Sequence, residues 1–283
     1  MKKVLVIGLV GESVFLKCDH FHRPSETISC EDMYTEIGGK GFNQALAIKV
    51  LGGDVLFVSS VGNDVYGEIC RNETGKLGLN HIYIESVNKT SFATILTDKN
   101  GNNQVSVYRG SIVQNEDLEY IYQYIDKSDI ILLQQEMDIE TIKHIIRYSR
   151  SNNKFIILNP APASGYFEEI SMCDLIIPNE DEVKVIFGDD FRNEIKTHKC
   201  KVIVTLGSKG ALLIDGDKEV YFETDEVKAV DTTGAGDTFC GTIAYCLSCG
   251  YDLFEAIKNA NKNAGLTVKY NYVIPGILNL NKV

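Results

Sequence analysis

The stretch KKVLVIGLVGES at residues 2–13 contains VLVIGLV, residues 4–10, a run with apolar side chains at almost every position. A strand of this kind is covered on both faces, as in the centre of a parallel sheet. Two lysines followed by an apolar run also resemble the start of a secretory signal peptide. However, the apolar run is only about seven residues long, and Glu12 follows it without a small-residue cleavage site. We therefore predict a buried first strand and a cytoplasmic protein.

Five more short apolar runs follow, and segments with helical periodicity separate them. The runs are DVLFVSSVG from 54, DIILLQ from 129, KFIILNP from 154, DLIIP from 174 and KVIVTLG from 201, and the helices are predicted at 41–51, 64–77, 138–150, 179–187, 236–249 and 252–269. This alternation is typical of βαβ units. The sequence therefore predicts an α/β fold with a central, mostly parallel sheet flanked by helices.

Two segments, 12–36 and 90–109, do not follow this alternation. In the second, TSFATILTD and NQVSVYRG alternate apolar and polar residues on either side of an Asn100-Gly101 turn, which is the pattern of a β-hairpin. We predict that both segments form a small sheet that projects as a lid from a single domain of residues 1–283. The alternative is an edge hairpin without a role at the site.

Composition excludes several classes of function. The chain has 283 residues, of which 44% are hydrophobic, and this is enough to bury one large core. Its net charge of -11 disfavours nucleic acid or an anionic membrane as a partner. No run approaches the roughly 18 apolar residues of a membrane span. Eight cysteines without a repeated spacing favour free thiols over a disulfide framework.

The segment AVDTTGAGDTFCG, residues 229–241, joins a glycine-rich turn to a helical pattern. Gly234, Ala235 and Gly236 have little or no side chain, so an anion can approach the first backbone N–H groups of that helix. Asp237 follows in the first turn, where its carboxylate can accept a proton from an alcohol. The segment therefore indicates phosphoryl transfer, although a tight turn with an acidic helix start would look the same.

A second glycine turn, GGKGFNQA at 38–45, precedes another predicted helix and offers polar groups to a polyhydroxyl ligand. It is not a P-loop, because Gly41 rather than Ser or Thr follows Lys40. The segment GLVGES after the first strand also fails to match G-x-G-x-x-G, which disfavours a dinucleotide-binding dehydrogenase.

These segments belong to a series of five motifs that occur in order: GGKGFNQA at 38–45, LNPAPA at 158–163, PNEDE at 178–182, TLGSKGA at 205–211 and DTTGAGDTF at 231–239. In this series the chain resembles the ribokinase family, or pfkB carbohydrate kinases, over essentially its whole length. The resemblance implies a three-layer α/β sandwich with a small β lid. It also implies an enzyme that transfers the γ-phosphoryl group of ATP to a sugar hydroxyl.

The resemblance also implies a role for each matching residue. Asp237 would be the catalytic base, with the anion hole at Gly234, Ala235 and Gly236. The residues matching the sugar site are Gly38, Gly39, Lys40, Asn43, Glu136 and Ser13. Those matching the ATP site are Asn179, Thr205, Gly207, Ser208, Gly210 and Asn261. Alternatively, 205–211 simply connects two strands, and Glu136 is a solvated charge.

Cations are implied in the same way. Glu182, in the N-x-x-E of PNEDE, would help to hold Mg²⁺ through water, which suits an ion that dehydrates reluctantly. Asp231 and Thr233 would belong to a K⁺ site. The segment KYNYVIPG at 269–276 replaces a more glycine-rich family segment that completes this site.

One departure concerns the substrate. Ribokinases carry Asn-x-Asp after the first strand, whereas Gly11 and Ser13 stand here. A serine is a weaker acceptor of hydroxyl protons than a carboxylate, so either the substrate differs or Glu12 or Asp19 compensates. A kinase for a nucleoside or a modified sugar is therefore an alternative, and a non-catalytic sugar- or nucleotide-binding sensor is another. The apolar faces of the hairpin further predict a homodimer formed through the lid.

Overall fold

The computed structural model describes residues 1–281 and contains a large, mostly parallel sheet. Its strand order is β13-β12-β11-β10-β9-β8-β1-β4-β5, and only the pairs β11–β12 and β12–β13 are antiparallel. The strands are β1 Val4–Ile7, β4 Val55–Gly62, β5 His81–Ser86, β8 Ile130–Gln134, β9 Phe155–Asn159, β10 Leu175–Ile176, β11 Lys201–Thr205, β12 Ala211–Asp215 and β13 Lys218–Phe222. The chain order reverses between β1 and β8, the position where open α/β sheets bind ligands at the carboxyl ends of their strands.

Helices cover both faces of this sheet. They are α1 Lys40–Leu51, α2 Val65–Lys76, α3 Leu118–Asp126, α4 Ile139–Ser151, α5 Glu180–Phe187, α6 Phe191–Lys196, α7 Ala235–Ser248, α8 Leu253–Thr267 and α9 Val273–Leu278. Alternate residues of β1 point into two separate cores. Val4 and Val6 pack on the side of α1, α7, α8 and α9, whereas Leu5 and Ile7 pack on the side of α3, α4, α5 and α6. The result is a three-layer sandwich.

A second sheet has the strand order β3-β2-β6-β7. Its strands are β2 Gly11–Cys18, β3 Cys30–Gly38, β6 Ser91–Thr97 and β7 Asn103–Tyr108. Strands β6 and β7 form an antiparallel hairpin, and β2 pairs with β6 in parallel and with β3 in antiparallel orientation. The end of β3 positions the site, because its last residue, Gly38, is separated from α1 by Gly39 alone.

The predicted α/β class, the mostly parallel sheet and the small second sheet are confirmed. The prediction missed β5, β12, β13, α3, α6 and α9, and it extended the first strand to residue 10, past the end of β1 at Ile7. The last two residues of the predicted domain lie outside the described part of the chain. Among the helices of residues 1–281, none combines the length and apolar character needed to cross a bilayer.

Candidate active site

The first turn of α7 lies at the centre of the site. Gly234 caps this helix with φ +77°, a left-handed conformation that favours glycine. A Cβ on Gly234 would also lie 2.5 Å from Cγ1 of Val273. Ala235 and Gly236 are the first two helical residues. Among the described residues the Gly236 N–H has no backbone acceptor, whereas the Ala235 N–H donates to the Thr232 carbonyl oxygen (3.3 Å). Asp237 follows in this turn and is 7% exposed.

Two amide side chains of α1 hold the carboxylate of Asp237. Asn43 Nδ2 donates to one oxygen (2.8 Å), and Gln44 Nε2 donates to the other (3.1 Å). The Gln44 amide also donates to Asn159 Oδ1 (3.0 Å) and accepts from Gln134 Nε2 (2.7 Å). This buried amide network, formed by Asn43, Gln44, Gln134 and Asn159, fixes Asp237 relative to the ends of β8 and β9.

The turn before α1 brings the predicted sugar-binding residues together. Gly39 has φ +109°, and a Cβ there would lie 2.5 Å from the Leu9 carbonyl oxygen. The backbone N–H of Lys40 donates to Glu136 Oε2 (2.8 Å). Ser13 faces the same turn, because its Oγ lies 2.8 Å from the position that a Cβ on Gly38 would occupy.

The charges around Lys40 influence one another. The nearby Asp237 carboxylate is the main cause that raises the pKa of Lys40. Burial raises the pKa of Glu136 to about 7, although Lys40 opposes the shift. Burial also raises the pKa of Glu182, against a hydrogen bond from the Asn179 backbone. One cation therefore lies among three carboxylates in a poorly solvated space.

The N-x-x-E segment forms the start of α5. Asn179 caps the helix and accepts from the N–H groups of Asp181 (2.9 Å) and Glu182 (2.8 Å), while Glu182 Oε2 accepts from the Asn179 N–H (2.9 Å). This is a capping box. Both side chains therefore have a structural role, and both also line a cavity that contains Asp237.

Two cavities meet at this point. The first, of about 270 Å³, is mainly apolar and lies between the loops around Thr205 and the helices α7 and α8. The second, of about 220 Å³, is polar and contains Lys40 and Asp237. Thr205 and Gly236 line both cavities. The two cavities therefore adjoin at these two residues, and Gly236 lies one position before Asp237.

The structure places most of the predicted ATP-binding residues in the wall of the first cavity. Thr205, Gly207, Ser208, Gly210 and Asn261 line it. Asn179 lies in the second cavity instead. The Asn261 amide, 7% exposed, donates to the carbonyl oxygens of Phe222 (3.2 Å) and Glu223 (3.4 Å), so it holds the cavity wall.

Asp231 and Thr233 form a compact turn beside α7. Asp231 Oδ1 accepts from the backbone N–H (2.9 Å) and the hydroxyl (2.7 Å) of Thr233, and Oδ2 accepts from the Tyr272 N–H (3.2 Å). Within residues 1–281, no cluster of three or more His, Cys, Asp or Glu side chains could hold a metal ion. For a divalent ion, the carboxylate of Glu182 lines the polar cavity beside Asp237 and uses only Oε2 in the capping box, and a carboxylate oxygen is a ligand that Mg²⁺ accepts.

Sequence reasoning missed part of this site. Gln44 and Asn159 lie inside the quoted motifs, but their spacing gave no indication that their amides meet. Of the two carboxylates suggested to compensate for Ser13, Asp19 is exposed and binds Lys99 (2.9 Å). Glu12 precedes Ser13 in β2, so its side chain points to the opposite face of the sheet. Neither carboxylate reaches the position of Ser13.

Comparisons with known proteins agree with this architecture. The sequence profile of the pfkB family carbohydrate kinases matches residues 1–279. The chain is 34% identical to a ribokinase of Bacillus subtilis over 276 residues, which cover 95% of this chain and 93% of that protein. It is 31% identical to a deoxyribokinase of Salmonella typhi over 284 residues, which cover 94% and 92% of the two chains.

A solved structure has the same fold. The crystal structure of a ribokinase from Thermotoga maritima superposes with a TM-score of 0.89 at 33% sequence identity, and the match covers 98% of this chain and 96% of that one. These two relatives and this solved structure therefore match the chain along nearly its full length.

Proposed function

The chain belongs to the pfkB family of carbohydrate kinases and is a sugar kinase, and on this premise we propose that it transfers the γ-phosphoryl group of ATP to a hydroxyl of a pentose, with Asp237 as the general base. The observation that carries the proposal is the junction of the two cavities at Gly236, one residue before Asp237. The mainly apolar cavity, which would hold the nucleotide, adjoins at Gly236 the polar cavity that contains the Asp237 carboxylate in the first turn of α7.

In this mechanism Asp237 accepts the proton of the sugar hydroxyl as the oxygen attacks phosphorus. The hydrogen bonds from Asn43 and Gln44 keep the carboxylate in one orientation before the substrate arrives. A base that is already oriented contributes typically about 10²- to 10⁴-fold to the rate. Asp237 then carries the proton while the phosphoryl group moves to the sugar.

The Gly236 N–H stabilises the negative charge on the transferring phosphoryl group, and the Ala235 N–H can exchange its bond to the Thr232 carbonyl oxygen for one to that group. They point out of the start of α7, where the helix dipole is positive. Lys40 lines the same polar cavity and adds a full positive charge. Together these groups serve a transition state whose charge is spread over the phosphoryl oxygens.

Two cation sites belong to this proposal. Glu182 would hold Mg²⁺ through water, and Asp231 and Thr233 would belong to a K⁺ site. When bound, Mg²⁺ neutralises the charge of the phosphates, and K⁺ adds positive charge beside the anion hole. Glu182 suits an indirect role, because one of its oxygens already accepts the Asn179 N–H.

The sugar lies between the lid sheet and the glycine turn at 38–39. Asn43 Oδ1 is buried without a hydrogen-bond partner among the described residues, so it is available to accept from a sugar hydroxyl. Glu136 and Ser13 flank the same turn. The similarity to ribokinase and deoxyribokinase favours ribose or 2-deoxyribose as the pentose.

A coupled ADP-release assay with ATP, Mg²⁺ and K⁺ across pentoses, hexoses, their phosphates and nucleosides tests the proposal. We expect turnover of a pentose and a loss of about 10²-fold or more in kcat for Asp237→Asn. A near-wild-type rate for that variant would refute the role of Asp237. Binding of ATP and sugar without ADP release would instead support a non-catalytic sensor.

A second candidate is a kinase for a nucleoside or a modified sugar. Ser13 leaves a smaller, less charged group where ribokinases have a carboxylate. In addition, a cavity of about 490 Å³ between the lid and residues 229–233 has Phe15 and Tyr272 in its wall. An aromatic wall of this kind suits a substituent on the sugar. Faster turnover of nucleosides than of pentoses in the same panel would establish this alternative.

The homodimer through the lid is also a proposal. Strand β7 lies at the edge of the second sheet, and all six of its residues are exposed. Val105, Val107 and Tyr108 are 55%, 62% and 52% exposed. An exposed apolar edge strand favours pairing with another chain. A monomeric mass by light scattering at micromolar concentration would contradict the dimer.

A further inference from the structure

Glu36, a buried carboxylate in the second sheet, has no role in the reaction described above. It belongs to β3, two residues before Gly38, and is 7% exposed. Its two oxygens accept the backbone N–H groups of Val273 (2.9 Å) and Ile274 (3.0 Å). These are the first two residues of α9. One side chain therefore joins the strand that leads to the sugar site to a helix near the C-terminus.

This contact satisfies both partners. The first N–H groups of a helix have no partner within the helix, and a carboxylate placed there is stabilised by their partial positive charge. In return, the N–H groups provide the buried Glu36 with two of the hydrogen bonds that water would otherwise supply. Removal of either partner leaves a buried polar group without a hydrogen bond.

The start of α9 in turn contacts the proposed anion hole. Val273 is 4% exposed, and its side chain lies directly against Gly234, because a Cβ on Gly234 would be 2.5 Å from Val273 Cγ1. Gly234 caps α7 and is followed by Ala235 and Gly236. A shift of Val273 would therefore change the space that defines this turn.

We propose that Glu36 is a positioning residue for phosphoryl transfer: it holds the start of α9 against Gly234 and so fixes the anion hole relative to the sugar-binding turn at Gly38. The inference rests on the proposed function. It treats Glu36 as acting through Val273 and not by contact with a substrate. It therefore predicts an effect on kcat larger than the effect on KM, since the anion hole serves the transition state.

The first test is Glu36→Gln, assayed at pH 8, which is above the pKa of about 7 to which burial raises Glu36. The variant keeps the shape of the side chain but turns an N–H₂ group towards a backbone N–H. We expect kcat to fall about tenfold, which corresponds to about 1.4 kcal/mol of barrier, with KM for sugar and ATP within about twofold. Glu36→Asp restores part of the loss, because a shorter carboxylate still accepts.

Glu31→Gln is the matched control. It makes the same exchange in the same strand, but the Glu31 side chain is exposed, and its Oε2 lies 3.9 Å from Lys17 Nζ in a surface ion pair. We expect wild-type kinetics for it. The inference is overturned if Glu36→Gln has the same kcat as the control. It is also overturned if the loss of kcat/KM comes from a higher KM for sugar and ATP, because that would indicate weaker binding of the substrates.

A second measurement does not depend on turnover. In amide hydrogen exchange, Glu36→Gln should speed exchange at 273–274 and also at 235–237. Faster exchange confined to 273–274 would mean a simple helix cap and would overturn the inference. If Glu36→Gln does not fold, Val273→Ala probes the other half of the same link and should give the same loss of kcat. A wild-type protein without activity on any substrate would refute the proposed function, whereas the exchange result would still decide whether Glu36 positions the turn.

Discussion

Replacement of Gln44 by methionine should separate the support of Asp237 from the chemistry of Asp237 itself. Gln44 is fully buried and makes three hydrogen bonds within the amide network, to Asp237, Asn159 and Gln134. Methionine has nearly the same length and shape but neither donates nor accepts strongly. Gln44→Met therefore removes the hydrogen bonds while leaving the packing of α1 almost unchanged.

The contacts give the expected size of the effect. Gln134 Nε2 loses its acceptor in a site that is 0% exposed, and an unsatisfied buried group costs about 1–3 kcal/mol. Asp237 loses one of two amide donors, and a hydrogen bond to a charged group is worth about 1.5–3 kcal/mol. Asn159 lines the polar cavity, so water replaces its lost partner. We expect the free energy of unfolding to fall by about 3 kcal/mol and kcat to fall about tenfold.

Urea unfolding followed by far-UV circular dichroism measures the first quantity, because the chain has no tryptophan for fluorescence. The ADP-release assay measures the second. Gln123→Met is the control, since Gln123 lies on the exposed face of α3 and its amide contacts only the Tyr120 carbonyl oxygen among the described residues. The control should stay within about 0.5 kcal/mol of wild type. If Gln44→Met matches it in both assays, the amide network does not support Asp237.

Three further predictions concern the pH dependence, the anion hole and the lid. The pKa of Glu136 is about 7 in the native protein, above its ordinary 4.5, so the native state binds more protons in that window. The free energy of unfolding should therefore fall, relative to Glu136→Gln, as pH rises from 4.5 to 7; parallel urea midpoints would contradict this. Gly234→Ala should lower both the melting temperature and kcat, because it combines φ +77° with a clash. Gly236→Ala, with open space around its Cβ, should keep the melting temperature and lose only activity. Val107→Glu should convert a dimer to a monomer in light scattering, and an unchanged mass would contradict an interface through the lid.

The parts of the fold that the sequence predicts are those with a local pattern. The buried strands β1, β4, β8, β9 and β11 are short apolar runs, and such runs are recognisable without knowledge of their neighbours. Helix α3 was missed although Leu118, Ile121 and Ile125 have helical spacing. The hairpin of β12 and β13 was missed although Gly216, at its turn, is a strong signal. Helix α9, with six residues, depends on contacts from distant parts of the chain, such as the carboxylate of Glu36.

The same distinction applies to the site. The turn before α7 can be read from adjacent residues, because glycine spacing and a helix start are local properties. The amide network cannot, since Gln44 and Asn159 are 115 positions apart and meet only when α1 packs over the end of β9. Family resemblance identified the motifs that contain both residues, but only the distances between side chains give these two amides a role.

Chemistry and specificity also lie on different elements. Asp237 and the proposed anion hole belong to α7, which packs on the large sheet, whereas Ser13 belongs to β2, in the second sheet. Ser13 faces the glycine turn of the proposed sugar site. Among residues 1–281, it makes no hydrogen bond to Asp237 or to the amides of Asn43 and Gln44 that hold Asp237. A change at Ser13 can therefore alter which hydroxyl pattern binds while the base keeps its orientation. For this reason the loss of the family aspartate at this position bears on the substrate and leaves the assignment of the reaction intact.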